Sequence, residues 1–122
     1  MLRGLDIVKK LQNAYYITKN MERAVSFYRD TLGLSIAFQD GNKWAQFKAG
    51  ESNFSLSSPD EGAFGASGGV IIFEVESIDL FEKKIEKSQG SIIEIRDMGD
   101  HGKVLTFRDP DENIVQLFQR KK

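Results

Sequence analysis

The chain has 122 residues, a formal net charge of -1 and no cysteine. This length fits one domain, and a composition that is 40% hydrophobic, with nine Phe, is enough to build a buried core. The mixed charges give no net basic field, so the composition does not favour a nucleic-acid partner. The lack of cysteine excludes disulfides, thiolate metal ligands and a cysteine nucleophile.

The N-terminal residues contain no long apolar run, which predicts neither a signal peptide nor a membrane span. A chain without cysteine also fits a reducing compartment. We therefore expect a cytoplasmic protein that does not bind membranes.

The first half of the chain begins with an aromatic, β-branched segment that is typical of a strand. Asn20 is suited to cap a helix, and the apolar side chains after it recur at three- and four-residue steps up to Gly33. Turns at Gly41 and Gly50 separate the strands that follow. This half thus predicts a strand, a helix and three strands, at residues 14–18, 21–32, 34–39, 43–49 and 53–57.

A linker rich in Ser, Gly, Pro and Ala covers residues 58–69, and the same order of elements then repeats. Ser77 is a candidate N-cap for the second helix, and Gly90 is its predicted end. The second half predicts a strand, a helix and three strands, at residues 69–75, 78–88, 91–96, 103–108 and 113–118.

The repeated pattern predicts an α+β fold of two βαβββ modules, at about residues 12–57 and 69–119, within one domain that spans residues 1–122. One helix covers only one face of a four-stranded sheet. We therefore expect a U-shaped mixed sheet around a cleft, with the helices on the outside and a small-molecule site on the open face.

Two motifs carry a resemblance to a known family. Residues 20–28 read NMERAVSFY and are followed by Leu-Gly-Leu at 32–34, and residues 107–113 read FRDPDEN. In this pattern, order and spacing, the chain resembles the vicinal oxygen chelate superfamily, which includes glyoxalase I, extradiol dioxygenases and bleomycin-resistance proteins. Asn20 stands where the family usually has Asp, and Glu112 where it usually has Gly.

Enzymes of that superfamily generally hold a divalent metal through His, Gln or Glu side chains, two from each module. The resemblance carries those positions to Asn13, Ser55, Val70 and Gln116. Valine has no donor atom, a neutral serine hydroxyl is a poor ligand, and amide oxygens usually bind hard cations beside carboxylates. We therefore expect neither a family-type metal site nor another cofactor.

Strand alternation predicts which side chains face the cleft. If Ala45 and Phe47 belong to the core, Trp44 and Gln46 point the other way. Aromatic walls with neutral amides suit a flat or amphipathic ligand, although Trp44 could equally serve packing. The candidate ligand-binding residues are Asn13, Tyr15, Trp44, Gln46, Ser55, Glu74, His101, Arg108, Gln116 and Phe118.

The favoured function is metal-independent binding of an amphipathic or aromatic small molecule, as in the bleomycin-resistance branch, with no catalytic residue. The alternative is a divergent glyoxalase-like lyase, isomerase or dioxygenase. It requires either metal ligands at other positions than these four, or Glu74, His101 or Tyr15 acting without metal. Glu74 could instead be a solvated edge residue and His101 an ordinary loop residue. A third alternative is an accessory module in which Trp44 and Phe118 fill the cleft.

The resemblance also implies a homodimer, since family members of this size usually pair and their clefts often lie where two chains meet. Exposed sheet edges in a small chain need cover in any case. The contact candidates are Phe54, Phe64 and the linker at residues 58–69.

Overall fold

The computed structural model describes residues 9–121, and its elements follow the predicted repeat. Two βαβββ modules are present, which confirms the α+β class. The first contains β1 (Ala14–Ile17), α1 (Met21–Ser26), β2 (Ser35–Asp40), β3 (Trp44–Ala49) and β4 (Ser52–Ser57). The second contains β5 (Ile71–Glu74), α2 (Ile78–Glu86), β6 (Ser91–Asp97), β7 (Lys103–Arg108) and β8 (Ile114–Gln119).

Each module forms its own four-stranded sheet, with the strand orders β1-β4-β3-β2 and β5-β8-β7-β6. The β1/β4 and β5/β8 pairs are parallel, and the other neighbours are antiparallel. Tyr15 lies opposite Ser55 in the first sheet, and Ile72 lies opposite Gln116 in the second. The two sheets therefore repeat the same frame with different side chains.

The first helix differs from its prediction in its second half. Asn20 caps it as expected, because its Oδ1 accepts from the Arg23 N–H at 3.0 Å. However, the α-helix ends at Ser26, and a π-helical turn follows at Phe27–Thr31. The ring centroid of Phe27 lies 6.0 Å from that of Phe107, so this turn packs against the second module. Gly33 then ends the segment with a φ of 79°.

The second helix is capped by a different group from the one predicted. The Ser77 side chain makes no capping hydrogen bond, and the Ile78 N–H instead donates to Gln119 Oε1 of β8 at 2.8 Å. Close packing after the end of the second helix requires a glycine at position 90. A Cβ there would lie 2.7 Å from the Arg108 carbonyl oxygen and 2.9 Å from Phe27 Cε1, which only glycine avoids.

One hydrophobic core joins the two modules through their helix-side faces. The Tyr16 hydroxyl donates to the Ile114 carbonyl at 2.5 Å and accepts from the Ile71 N–H at 2.8 Å. Burial raises the pKa of this hydroxyl to about 12. Phe54 is 2% exposed and lies edge-on to Phe73, so its prediction as a dimer contact was wrong.

The turn between β7 and β8 is buried against the first module. The carboxylate of Asp109, which is 2% exposed, accepts from the Tyr28 hydroxyl at 2.8 Å and from the Asn113 side chain and N–H at 2.9 Å. It also accepts from the Asp111 N–H at 2.8 Å. Burial, with the nearby Asp109 charge, holds the pKa of Tyr28 well above its ordinary value. The second family-like motif therefore has a structural role here.

Asp111 extends this connection at the protein surface. It accepts from the Thr18 hydroxyl at 2.6 Å and from the Lys19 N–H at 3.1 Å, and it forms an ion pair with Arg23 at 3.2 Å. The turn therefore binds both the end of β1 and the first turn of α1. Between residues 9 and 121, no helix is long and apolar enough to cross a membrane.

Candidate functional site

The face of the first sheet that points away from the core carries a cluster of hydrogen-bonded polar side chains. Asn13 Nδ2 donates to Gln46 Oε1 at 3.1 Å, and the Ser55 hydroxyl donates to Asn13 Oδ1 at 3.0 Å. Ser55 is fully buried, whereas Asn13 and Gln46 are half-buried. The two amides therefore lie above the serine and expose their remaining atoms. We call Asn13, Tyr15, Trp44, Gln46 and Ser55 the amide cluster.

Two aromatic side chains complete the amide cluster. The Trp44 indole N–H donates to Gln46 Oε1 at 3.4 Å. The Trp44 and Tyr15 rings lie 5.2 Å apart with their planes inclined by 59°, a favourable aromatic contact. Both side chains are half-buried, so they form a wall beside the amides.

The linker between the modules covers one end of this face. The Ala63 N–H donates to the Tyr15 hydroxyl at 2.9 Å. A Cβ on the neighbouring Gly62 would lie 2.4 Å from Ile17 Cδ1 and 3.3 Å from Ser57 Oγ, so this linker segment lies directly on the sheet. The side chain of Phe64, next in the linker, is fully exposed.

The corresponding face of the second sheet carries different side chains. Gln116 donates to the Thr106 hydroxyl at 3.1 Å, and Arg120 lies 5.5 Å above the Phe118 ring. Val70 and Ile72 are 51% and 61% exposed, which is high for side chains of this type. This face therefore combines apolar surface with one amide and with charged side chains such as Glu94, which lies opposite Thr106, whereas the first face carries several hydrogen-bonded neutral groups.

The remaining predicted site residues lie apart from the amide cluster. Glu74 is exposed and forms an ion pair with Arg120 at 3.1 Å. His101 is exposed in a short 3₁₀ helix at Gly99–His101, and Arg108 is exposed at the end of β7. The structure therefore brings together five of the ten predicted residues, and it places the other five on the second module.

Strand alternation missed one residue beside the amide cluster. Phe38 is 52% exposed and lies opposite Gln46, on the outward face of β2. Strict alternation from Ile36, which lies opposite the buried Phe47, would put Phe38 in the core. A β-bulge between Ile36 and Phe38 reverses the face, and nothing in the local sequence marks that bulge.

The side chains at the positions that the resemblance assigns to the family's metal ligands do not fit a divalent metal. Asn13 and Ser55 are bonded to each other, Gln116 is bonded to Thr106, and Val70 has no donor atom. Within residues 9–121 there is also no group of three or more His, Cys, Asp or Glu side chains that could hold a metal ion. A catalytic divalent metal normally has charged or imidazole ligands, and these positions supply neither.

Two concavities among the described residues are lined in part by β1. A groove of about 870 Å³ has mainly apolar walls, including Leu34, Ile72 and Phe81, and Glu74 is at its edge. A second cavity of about 570 Å³ is bordered by Tyr15 and by Asp111 of the buried turn. Neither contains the two amides, so the amide cluster is an open face in the single chain.

Comparison with known proteins gives a family and several structural neighbours. Residues 10–117 match the family model described as Glyoxalase/Bleomycin resistance protein/Dioxygenase superfamily. The uncharacterized protein YraH of Bacillus subtilis is 26% identical over 90% of this chain and 98% of its own length.

Two solved structures show the same fold. A lactoylglutathione lyase from Agrobacterium tumefaciens aligns with a TM-score of 0.75 and 18% identity, over 92% of this chain and 94% of its own. A bleomycin-binding protein from Streptomyces verticillus, complexed with copper(II)-bleomycin, aligns with a TM-score of 0.66 and 21% identity. That alignment covers 95% of this chain and 100% of the bleomycin-binding protein.

Proposed function

Since the chain belongs to the glyoxalase/bleomycin resistance protein/dioxygenase superfamily, we propose that it binds an amphipathic or aromatic small molecule without a metal. The single observation that carries the proposal is the amide cluster. It includes Asn13 and Ser55, two of the positions to which the resemblance carries the family's metal ligands, and these two side chains are hydrogen-bonded to each other.

The chemistry of the amide cluster supports binding rather than catalysis. Trp44 and Tyr15 offer half-buried aromatic surface, which binds flat molecules by area burial and ring contacts. Neutral amides orient a ligand without supplying a nucleophile or a strong base. Glu74, the carboxylate predicted as a candidate base, lies on the second module, where it is paired with Arg120.

A second copy of the chain is the proposed cover for the open face. Val70, Ile72 and Phe64 leave apolar surface exposed, as interaction sites often do. A homodimer in which the second sheet of one protomer faces the amide cluster of its partner would give an enclosed cleft, with the amide cluster on one wall and a mixture of apolar and charged side chains on the other. Like the homodimer, the organisation of the chain as one domain and its location in the cytoplasm remain predictions.

The experiment follows the indole N–H signal of Trp44, the one tryptophan in the chain, by ¹H–¹⁵N NMR. Titration with 2-acetylnaphthalene is expected to shift this signal and the side-chain amides of Asn13 and Gln46 in a saturable way. The side-chain amide of Gln89, which is exposed after the end of α2, is the internal control. Saturable shifts in residues of the 870 Å³ groove, with an unchanged amide cluster, would contradict the proposed site.

Light scattering of the same sample measures the oligomeric state. The proposal predicts twice the 13.8 kDa mass of the chain. A monomer that still binds the probe at the amide cluster would contradict the dimer while retaining the site.

A further inference from the structure

The hydrogen bonds inside the amide cluster converge on the Gln46 amide oxygen, and Trp44 determines how the two amides are oriented. An indole nitrogen can only donate, so the atom that it contacts at 3.4 Å must be the oxygen of the Gln46 amide. That oxygen also accepts from Asn13 Nδ2 at 3.1 Å. The Asn13 oxygen in turn accepts from Ser55 at 3.0 Å.

The orientation of the two amides decides which atoms remain for a ligand. Gln46 Nε2 makes no hydrogen bond within residues 9–121, so both of its N–H groups are free, as is the second N–H of Asn13. The Tyr15 hydroxyl accepts from Ala63, which leaves its proton available. Every one of these free groups is a donor.

One nearby acceptor is not available to a ligand. Asn53 Oδ1, next to the amide cluster on β4, has no hydrogen-bond partner among the described residues and is covered from solvent. Its amide orientation follows from the bond that its Nδ2 donates to the Gln12 carbonyl at 3.1 Å. The polar atoms that can reach a ligand are therefore mainly N–H and O–H groups.

From this orientation of the amides we infer that the amide cluster selects small molecules with a hydrogen-bond acceptor oxygen, as in an aryl ketone, beside a flat apolar body. The acceptor oxygen would bind Gln46 Nε2 and its neighbours, and the flat body would lie against Trp44 and Tyr15. A ligand that presents only donors would leave these N–H groups unpaired, which costs affinity. The inference rests on the proposed function, because it specifies the ligand of the same site.

The test uses two probes of nearly the same shape, 2-acetylnaphthalene, which has an acceptor oxygen, and 2-isopropylnaphthalene, which has none. Their dissociation constants are measured by NMR for the wild type and for Gln46→Glu. The glutamate can still accept from Trp44 and Asn13, but it offers no N–H to the ketone. The substitution should raise the dissociation constant of the ketone about fivefold relative to that of the hydrocarbon. The difference in apolarity between the two probes is the same for both proteins, so it cancels in this comparison.

Two further variants sharpen the result. Gln46→Met removes the amide without adding a charge and should shift the ratio in the same direction. Gln89→Glu makes the same chemical change far from the site and should leave the ratio unchanged. If both probes bind and the ratio stays within twofold in both Gln46 variants, the donor inference is overturned and the site remains. If neither probe saturates any protein, the proposed function is overturned, and the inference with it.

Discussion

The two outward sheet faces have the same strand order and register but different chemistry. Gln46 and Ser55 on the first face correspond to Thr106 and Gln116 on the second, as the pairing of β3 with β4 and of β7 with β8 shows. The first face is a hydrogen-bonded amide cluster with two aromatic rings, and the second is partly apolar. A repeated backbone therefore fixes where a site can form, while the side chains of each module decide what it binds.

The modules also differ in the turn before their last strand. The β7–β8 turn is buried through Asp109, whereas the β3–β4 turn at Gly50 and Glu51 is exposed. Asp109→Ala should destabilise the protein by about 3–4 kcal/mol, because it leaves several buried donors without a partner. Glu51→Ala is the matched control and should change the unfolding free energy by less than about 0.5 kcal/mol. Urea unfolding measures both, and similar losses would refute the structural role of the second motif.

The buried tyrosines should make the free energy of unfolding fall at high pH. Tyr16 has a folded-state pKa of about 12 against 10.0 when unfolded. Below pH 10 both states are protonated and the stabilisation is complete, and above pH 10 the unfolded state loses its proton first. The unfolding free energy should therefore fall by about 2 kcal/mol between pH 10 and 12 from this residue. Tyr16→Phe should show a shallower decline in urea unfolding at these pH values, and an equal decline would contradict the assignment.

Adjacent tyrosines on β1 separate the two faces of the first sheet. Tyr16→Phe at pH 7 should cost about 1–3 kcal/mol, because the Ile71 N–H and the Ile114 carbonyl lose their shared partner. Tyr15→Phe removes a hydroxyl from the outward face and should cost less than about 1 kcal/mol. Thermal unfolding with NMR titration should show the first variant less stable but still binding 2-acetylnaphthalene, and the second stable with weaker binding. The reverse pattern would exchange the roles of the two faces.

The smallest expected effect comes from a left-handed residue in each of the two turns. Gly50 has a φ of 62° and Glu112 a φ of 67°, a conformation that costs a non-glycine residue about 1 kcal/mol. Glu112→Gly should therefore raise the unfolding free energy by up to about 0.5 kcal/mol, after the added freedom of the unfolded chain is subtracted. Gly50→Ala should lower it by a similar amount. A destabilised Glu112→Gly would mean that the Glu112 side chain contributes more than its backbone strain costs.

The sequence predicted the frame well because the frame depends on local periodicity. Alternation placed Ala45 and Phe47 in the core, and both are fully buried. It failed where the backbone departs from regular geometry, at the π-helical turn after Ser26 and at the bulge before Phe38. Those departures depend on packing between modules and on strand pairing, which no short segment encodes.

The amide cluster could be predicted only in part. Alternation assigned Asn13, Gln46 and Ser55 to the same face, but their hydrogen bonds depend on the register among β1, β3 and β4. The surroundings of Glu74 and His101 could not be predicted from the sequence. Glu74 pairs with Arg120, 46 residues away, and only the folded chain brings these two together.

The most direct test of a metal-independent site is the affinity for 2-acetylnaphthalene, followed at the Trp44 indole signal, in protein treated with EDTA and in protein supplied with Mn²⁺, Fe²⁺, Ni²⁺ or Zn²⁺. Because Asn13 and Ser55 already satisfy each other, the dissociation constant should agree within about twofold in all samples. Binding that is lost in EDTA and restored by one equivalent of a metal would contradict the account.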